Sequence, residues 1–284
     1  MFTIRIRRFV ETKDGLDCGA VSLTLENLCV VLVKTRNPLN LGAVARAMSN
    51  FGAAELRAVR PYGKAWREAR SAVGAGEVMA QAREFATIAE AVTDCSLVVG
   101  TTSVGNRELK HPLHDLVEAA PPLRARMDSG KVAVLFGSEK WGLSNEDLSY
   151  CHWLLRIPTR EEHRSMNLGQ AAAVVLYELA KKEVQGSKSK VESTSNRKSK
   201  MENGKRKSGE RSGFAEMETV GRIGEALLEA LVKSGYVGPR KTELAEEKLR
   251  RMLRRFSMSA ADAEVFLGMM RKIAARVEEE AKKQ

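Results

Sequence analysis

Three short stretches hold residue types that do chemistry when they converge: NLGAVAR at 40–46, FGSEKWGL at 136–143 and IPTREEHRSMNLGQAAAV at 157–174. Each follows an apolar, strand-like run, opens into a helical pattern, and carries amide, hydroxyl or charged side chains at the join. Where a strand ends and the next helix begins, backbone N–H groups are unpaired and a crevice is open to a ligand. The third stretch shows this most plainly. Apolar Leu154, Leu155 and Ile157 stop at Pro158, a charged loop follows, and Ser165-Met166-Asn167-Leu168 leads into a long Ala/Val/Leu helix. Each polar residue also has an ordinary structural use. Asn40 and Ser165 are of the type that caps a helix. Glu139 and Arg46 are of the type that sits solvated on a surface. His163 is a lone loop histidine and does not join the set.

Other chemistries find no support in the sequence. Cys18, Cys29, Cys95 and Cys151 are scattered, with no C-x-x-C and no histidine at ligand spacing. Neither a metal site nor a disulfide framework is expected, and the chain reads as a reduced, cytoplasmic protein. No G-x-G-x-x-G follows the first strand; the nearest look-alike, from Gly74-Ala75-Gly76, has Met79 where a small residue belongs. A dinucleotide site of that kind is disfavoured, and there is no P-loop. No apolar run approaches the roughly 18–20 residues needed to cross a bilayer, so no membrane partner is expected.

The elements that must position these residues follow from periodicity. Short apolar runs at 28–34, 55–59, 96–100, 131–136 and 153–157 have the pattern of strands buried on both faces. Helical patterns lie between them at 40–48, 77–83, 88–93 and 112–120, the last stopped by Pro121-Pro122, and after the last strand at 167–183. Ser144 with Asp147 three residues on predicts a capping box. Alternating strands and helices over 28–183 predict an α/β fold with a mostly parallel sheet covered on both faces.

Composition divides the chain further. Residues 1–26 read as an N-terminal extension without a secretory h-region, and 27–184 as the α/β domain. Residues 185–213 read as a disordered basic linker, in which 186–213 hold nine Lys and Arg against three Glu. Residues 214–284 read as a small all-α domain of three helices. That domain carries Arg240, Lys241, Lys248, Arg250, Arg251, Arg254 and Arg255, a basic face set against Leu249, Met252, Leu253 and Phe256. With a net charge of +11, an anionic partner such as nucleic acid is expected.

Read as N-x-G-A-x-x-R, F-G-x-E-x-x-G-L and S-x-N-L, the three junctions in this order resemble the signature motifs of the SpoU branch of SPOUT RNA 2′-O-ribose methyltransferases, over residues 28–183. The C-terminal segments KLRRMLRRF and FLGMMRKI are similar to those of the family's tRNA (cytidine/uridine-2′-O)-methyltransferases. The resemblance implies a trefoil-knotted α/β domain, S-adenosylmethionine as methyl donor, and a homodimer with active sites at the subunit interface. The implied substrate is tRNA at position 32 of the anticodon loop; the alternatives are ribosomal RNA, or RNA binding without catalysis.

The resemblance also assigns roles. Arg46 would offset the charge that develops on the ribose hydroxyl, as an electrostatic group rather than a base, since guanidinium stays protonated. Ser165 and Asn167 would place ribose and cofactor, Asn40 would orient the substrate, and Glu139 would hold an arginine, with Arg46 the candidate. The implied cofactor pocket comprises Thr101, Thr102, Leu135, Gly137, Gly142, Ile157, Ser165, Met166 and Leu168. Trp141 is bulkier than the second motif leads one to expect.

Overall fold

The computed structural model describes residues 25–71, 76–103, 110–181 and 213–281. Most of the N-terminal extension and nearly all of the basic linker lie outside these residues. The α/β part runs β1 (Leu28–Val33), α1 (Pro38–Phe51), β2 (Glu55–Val59), α2 (Gly63–Ser71), α3 (Gly76–Gln81), β3 (Arg83–Phe85), α4 (Ile88–Ala91) and β4 (Leu97–Thr101). It continues through β5 (Leu113–Asp115), α5 (Leu116–Ser129), β6 (Val132–Phe136), α6 (Asn145–Leu148), β7 (Trp153–Arg156) and α7 (Leu168–Ala180). The C-terminal part is α8 (Met217–Lys233), α9 (Thr242–Arg255) and α10 (Ala260–Ala281).

The seven strands form one sheet in the order β3-β2-β1-β6-β4-β7-β5, with every pairing parallel. Parallel pairing brings all the carboxyl ends to one edge. The exits of β1, β6, β4 and β7, which are consecutive neighbours, therefore open side by side, and these are the exits that lead into the motif residues.

Strand alternation divides the core into two layers. Leu28, Val30 and Leu32 of β1, with Val132, Val134 and Phe136 of β6, face a cluster closed by α1, α2, α3, α5 and α7. Cys29, Val31 and Val33, with Ala133 and Leu135, face the opposite cluster. That second cluster is closed by Ile88 and Ala91 of α4, by Leu148 of α6, and by Met217, Val220 and Ile223 of α8 with Leu253 of α9. The C-terminal helices thus complete a layer of the α/β core, which the composition break before them did not reveal.

Three local expectations change. The helix expected to stop at Pro121-Pro122 runs on to Ser129 with both prolines inside it. Leu116, Ala119, Ala120, Leu123 and Met127 form a continuous buried face. The carbonyls left without a donor are those of Val117 and Glu118, which are exposed residues where water can substitute. The segment around Trp66, to which the sequence pattern assigns no element, is helix α2, with Ala65, Trp66 and Ala69 buried. Short β5 precedes α5 at the sheet edge, where the sequence pattern suggested helix from residue 112.

Buried charge stabilises the β2 side of the sheet. Arg57, only 2 % exposed, lies in the second layer between apolar neighbours. It donates to the Ala91 carbonyl at 2.6 Å and to Asp94 at 2.6 and 2.8 Å, and pairs with Glu55. Lys131 reaches both carboxylates, at 2.7 and 2.8 Å. The hydrogen bond from Arg57 holds the Asp94 carboxyl well below its ordinary value, and Lys131 adds to this against the effect of burial.

Candidate active site

A cavity of about 560 Å³ opens at the carboxyl edge of the sheet, within the roughly 300–1,000 Å³ of ordinary small-molecule sites. Of the residues singled out in the sequence, Asn40, Glu139, Ser165 and Asn167 line it. So do Thr101, Thr102, Gly137 and Gly142, and, from the loop after β7, Ile157, Met166 and Leu168. Two do not. Leu135 points into the second core layer and is fully buried; its carbonyl accepts from Thr101 Oγ1 at 2.9 Å, so it fixes a wall residue. Arg46 is exposed on α1, outside the cavity of its own chain.

Local geometry settles the capping alternatives. The cap of α1 is Asn37, whose side chain accepts from Leu39 N at 2.9 Å ahead of Pro38. Asn40 is left inside the helix, buried in the cavity wall with a relative exposure of 7 %. The Asn37-Pro38 pair was the overlooked signal, a cap residue followed by proline at the first helical position. The cap of α7 is Asn167, whose Oδ1 accepts from Gly169 N at 2.9 Å and Gln170 N at 3.3 Å. Ser165 is therefore not a cap, and its exposed side chain lines the cavity.

These caps orient a relay. With Asn167 Oδ1 committed to helix N–H groups, Asn167 Nδ2 faces outward and donates to Asn40 Oδ1 at 2.9 Å. Asn40 Nδ2 then donates to Glu139 Oε1 at 3.1 Å. Glu139 also accepts from the backbone N–H of Asn37 at 3.0 Å and of Arg36 at 3.2 Å. Burial raises the Glu139 carboxyl, but these hydrogen bonds outweigh it and leave the group below its ordinary value, an ionised acceptor at neutral pH. Within the chain Glu139 holds the turn that launches α1 and not Arg46. The relay ties all three junctions together in a way no single stretch could show.

Glycines shape the second junction. A Cβ on Gly137 would lie 2.0 Å from the Gly142 carbonyl carbon and 2.2 Å from Leu143 N. The hairpin-like turn closes with Gly142 N donating to Ser138 O at 2.8 Å, and Gly142 itself has φ of +66°. Beyond it, Ser144 and Asp147 form the expected capping box, and Asp147 receives Lys34 Nζ at 3.2 Å, joining α6 to the exit of β1. Gly169 lets α7 rest on α1, because a Cβ there would meet Ala43 Cβ at 2.6 Å. Trp141 lines the cavity mouth, 74 % exposed, with Lys140 over its ring at 4.9 Å.

The cavity offers hydroxyls from Thr101, Thr102 and Ser103 together with apolar Leu155, Ile157, Leu168 and Ala171. That donor set fits a nucleoside with a polar tail, and hence S-adenosylmethionine. Among the described residues there is no cluster of three or more metal-ligating side chains, and no helix is long and apolar enough to cross a membrane. The described cysteines, Cys29, Cys95 and Cys151, are buried free thiols. Burial pushes the Cys151 thiol up to about 12.

The basic helical face differs from expectation. Arg251 and Arg254 are buried, and Arg250 and Arg251 pair with Glu246 and Glu247 one turn back at 2.6 and 2.5 Å. Arg240, Lys241, Lys248 and Arg255 remain exposed, while Phe256, expected in the core, is 53 % exposed. Helix α9 is rotated so that part of its arginine stripe faces the α/β domain. Tyr150, beside α6, receives the Arg250 guanidinium at 4.1 Å over its ring.

Residues 27–177 match the model of the SpoU rRNA methylase family. The chain is 31 % identical over 250 residues to the tRNA (cytidine/uridine-2′-O-)-methyltransferase TrmJ of Escherichia coli, covering 88 % of this chain and 96 % of that one. It is 39 % identical over 155 residues to an uncharacterized tRNA/rRNA methyltransferase of Haemophilus influenzae, covering 55 % of this chain and 63 % of the relative. The crystal structure of TrmJ from Z. mobilis superposes with a TM-score of 0.68 at 29 % identity, over 86 % of this chain and 98 % of that one.

Proposed function

The chain belongs to the SpoU rRNA methylase family, and from that premise we propose that it methylates the ribose 2′-hydroxyl of tRNA, at position 32 of the anticodon loop, as a homodimer in the cytoplasm. The reaction class is S-adenosylmethionine-dependent RNA 2′-O-methyl transfer. The observation that carries the reading is the relay from Asn167 through Asn40 to Glu139, which brings all three motif junctions to one cavity. Alignment of TrmJ over both the α/β part and the C-terminal helices favours tRNA over ribosomal RNA.

When bound, S-adenosylmethionine supplies an electrophilic methyl group. The chain's own residues then have three tasks: to hold the donor, to bring the ribose hydroxyl in line, and to offset the negative charge developing on its oxygen. Thr101, Thr102, Ile157, Met166 and Leu168 form the donor's walls, and the tight turn at Gly137 and Gly142 forms its edge. Asn40 and Asn167 are positioning residues locked by Glu139, and Ser165, exposed at the mouth, is placed to meet the ribose.

Arg46 supplies the positive charge. Because it lies outside its own cavity, this role is met by a second copy of the chain. Leu39 at the start of α1 is 79 % exposed, and Tyr177 near the end of α7 is exposed against Phe51, so apolar side chains at both ends of this two-helix layer are open to a second copy. The family's trefoil knot and the domain limits at 27–184 and 214–284 belong to the same reading. Exposed Lys248 and Arg255 make phosphate contacts.

The test is to incubate the purified chain with labelled S-adenosylmethionine and bulk tRNA or ribosomal RNA and map the modified ribose. Label at position 32 of tRNA is expected. Label confined to ribosomal RNA would overturn the substrate, and no transfer to either RNA would overturn the reaction.

A further inference from the structure

Arg254 is 5 % exposed and packed between the α/β domain and the C-terminal helices, and its Nε has no hydrogen-bond partner among the described residues. Its Nη1 meets only Met217 Sδ, a weak acceptor. No carboxylate of the described residues lies within ion-pair distance, and burial lowers the group to about 10, which still leaves it charged at neutral pH. The Arg254 Cζ lies 5.5 Å from the centroid of the Tyr150 ring, yet a buried guanidinium without an ionic partner is costly unless an anion meets it.

The Arg254 side chain lines a groove of about 300 Å³ between α8 and α9. Arg250 lines it too, tied to Glu246 at 2.6 Å and Ser149 Oγ at 3.2 Å. The walls are apolar, with Val220, Leu249 and Leu253, and Tyr150 supplies an aromatic face. Along α8 the groove is kept open by two glycines one turn apart. Nothing lies within 4 Å of where a Cβ on Gly221 would sit, and a Cβ on Gly224 would touch only Leu253 Cδ1 at 3.3 Å. Glycine inside a helix weakens it, so the two together are explained by the space they leave. The other acid at the rim, Glu225, is exposed and makes no ion pair with either arginine among the described residues.

We infer that the groove between α8 and α9 is a second binding site, separate from the methyl-transfer cavity, which takes a phosphate group carried on a flat organic body of single-nucleotide size. The phosphate meets Arg254 and Arg250, whose planar forks suit its oxygens. The base lies along the glycine-lined wall of α8. The nucleotide comes from the RNA substrate, a choice that rests on the reading of the chain as an RNA methyltransferase; the site itself does not. Because Tyr150 follows α6, and α6 follows the Gly137–Leu143 turn, a nucleotide here would sit on the segment that also edges the donor cavity.

The full chain is titrated with cytidine 5′-monophosphate by calorimetry and with tRNA by filter binding, alongside Gly221→Leu and Arg254→Met. Gly221→Leu fills the groove while improving helix propensity, so it keeps the fold where Arg254→Met could lose it. Loss of about tenfold in affinity for the nucleotide, for tRNA, or for both in Gly221→Leu, with S-adenosylmethionine affinity unchanged, is the expected result. Competition of tRNA against the mononucleotide identifies RNA as the source, and its absence assigns the site to a free nucleotide. Parental affinity of Gly221→Leu for both probes overturns the site. Failure of the methyltransferase reading would show instead as absent methyl transfer by the parent chain, whatever the nucleotide does.

Discussion

Asn167 Nδ2 donates to Asn40 Oδ1 at 2.9 Å across 127 residues of chain. Neither amide can turn over without loss, because Asn167 Oδ1 is committed to the N-terminus of α7 and Asn40 Nδ2 to Glu139. A cap, an amide and a carboxylate therefore fix the mutual placement of three loops.

Replacing Asn40 by Ala removes the middle of this relay, leaves the Asn167 donor without its acceptor and takes one donor from Glu139, which keeps the backbone N–H groups of Asn37 and Arg36. A loss of about 1–3 kcal/mol in stability is expected. Methyl transfer should fall much further than this, since the loops on both sides of the cavity lose their common anchor. Urea unfolding read beside turnover at saturating donor separates the two; a turnover loss no larger than the unfolded fraction predicts would reduce Asn40 to a packing residue.

Gly137→Ala drives a Cβ into the Gly142–Leu143 backbone, where no side chain can swing aside. The turn must open, at a cost of about 1–3 kcal/mol by the usual scale of overpacking. S-adenosylmethionine binding should be lost while the C-terminal helices remain folded. Calorimetric titration of the donor checks this, and parental affinity would show that the turn does not edge the donor site.

Arg46 is exposed, so Arg46→Ala should change stability by no more than about 0.5 kcal/mol while abolishing turnover and sparing donor binding. If its charge acts on a partner's cavity, mixing Arg46→Ala with Asn167→Ala chains restores one complete site per mixed dimer. Roughly a quarter of parental activity is then expected from random pairing in a two-fold dimer. No recovery would place Arg46 in the site of its own chain.

Acid stability should depend on Asp94. Its folded value is depressed by Arg57, so its contribution is fully present above its ordinary value of 3.8 and disappears as pH falls below that toward the folded value. Asp94 is 43 % exposed, and after screening by solvent the contribution is about 1–2 kcal/mol. Asp94→Asn should lower the urea midpoint at pH 7 and flatten its decline between about pH 5 and pH 2. An unchanged acid slope would mean that the Arg57 network does not set it.

The sequence alone determined the parallel α/β alternation, because strands buried on both faces must be apolar throughout and the β1 and β6 runs are. It also determined the three junctions and most cavity residues, because motif spacing puts them just past strand ends, and parallel pairing sends those ends to one edge. Composition marked the C-terminal helices as a separate stretch.

What only the tertiary structure decided were relations between distant residues. Asn37 rather than Asn40 caps α1, since the choice depends on which side chain Glu139 and Asn167 recruit. Proline at 121 and 122 did not end α5, because a buried face outweighed two carbonyls left to water. The arginines of α9 turned partly inward, because Leu253 was needed to close the second core layer and carried Arg254 in with it. Periodicity reports that a helix has two faces; which one is buried depends on the surface it meets.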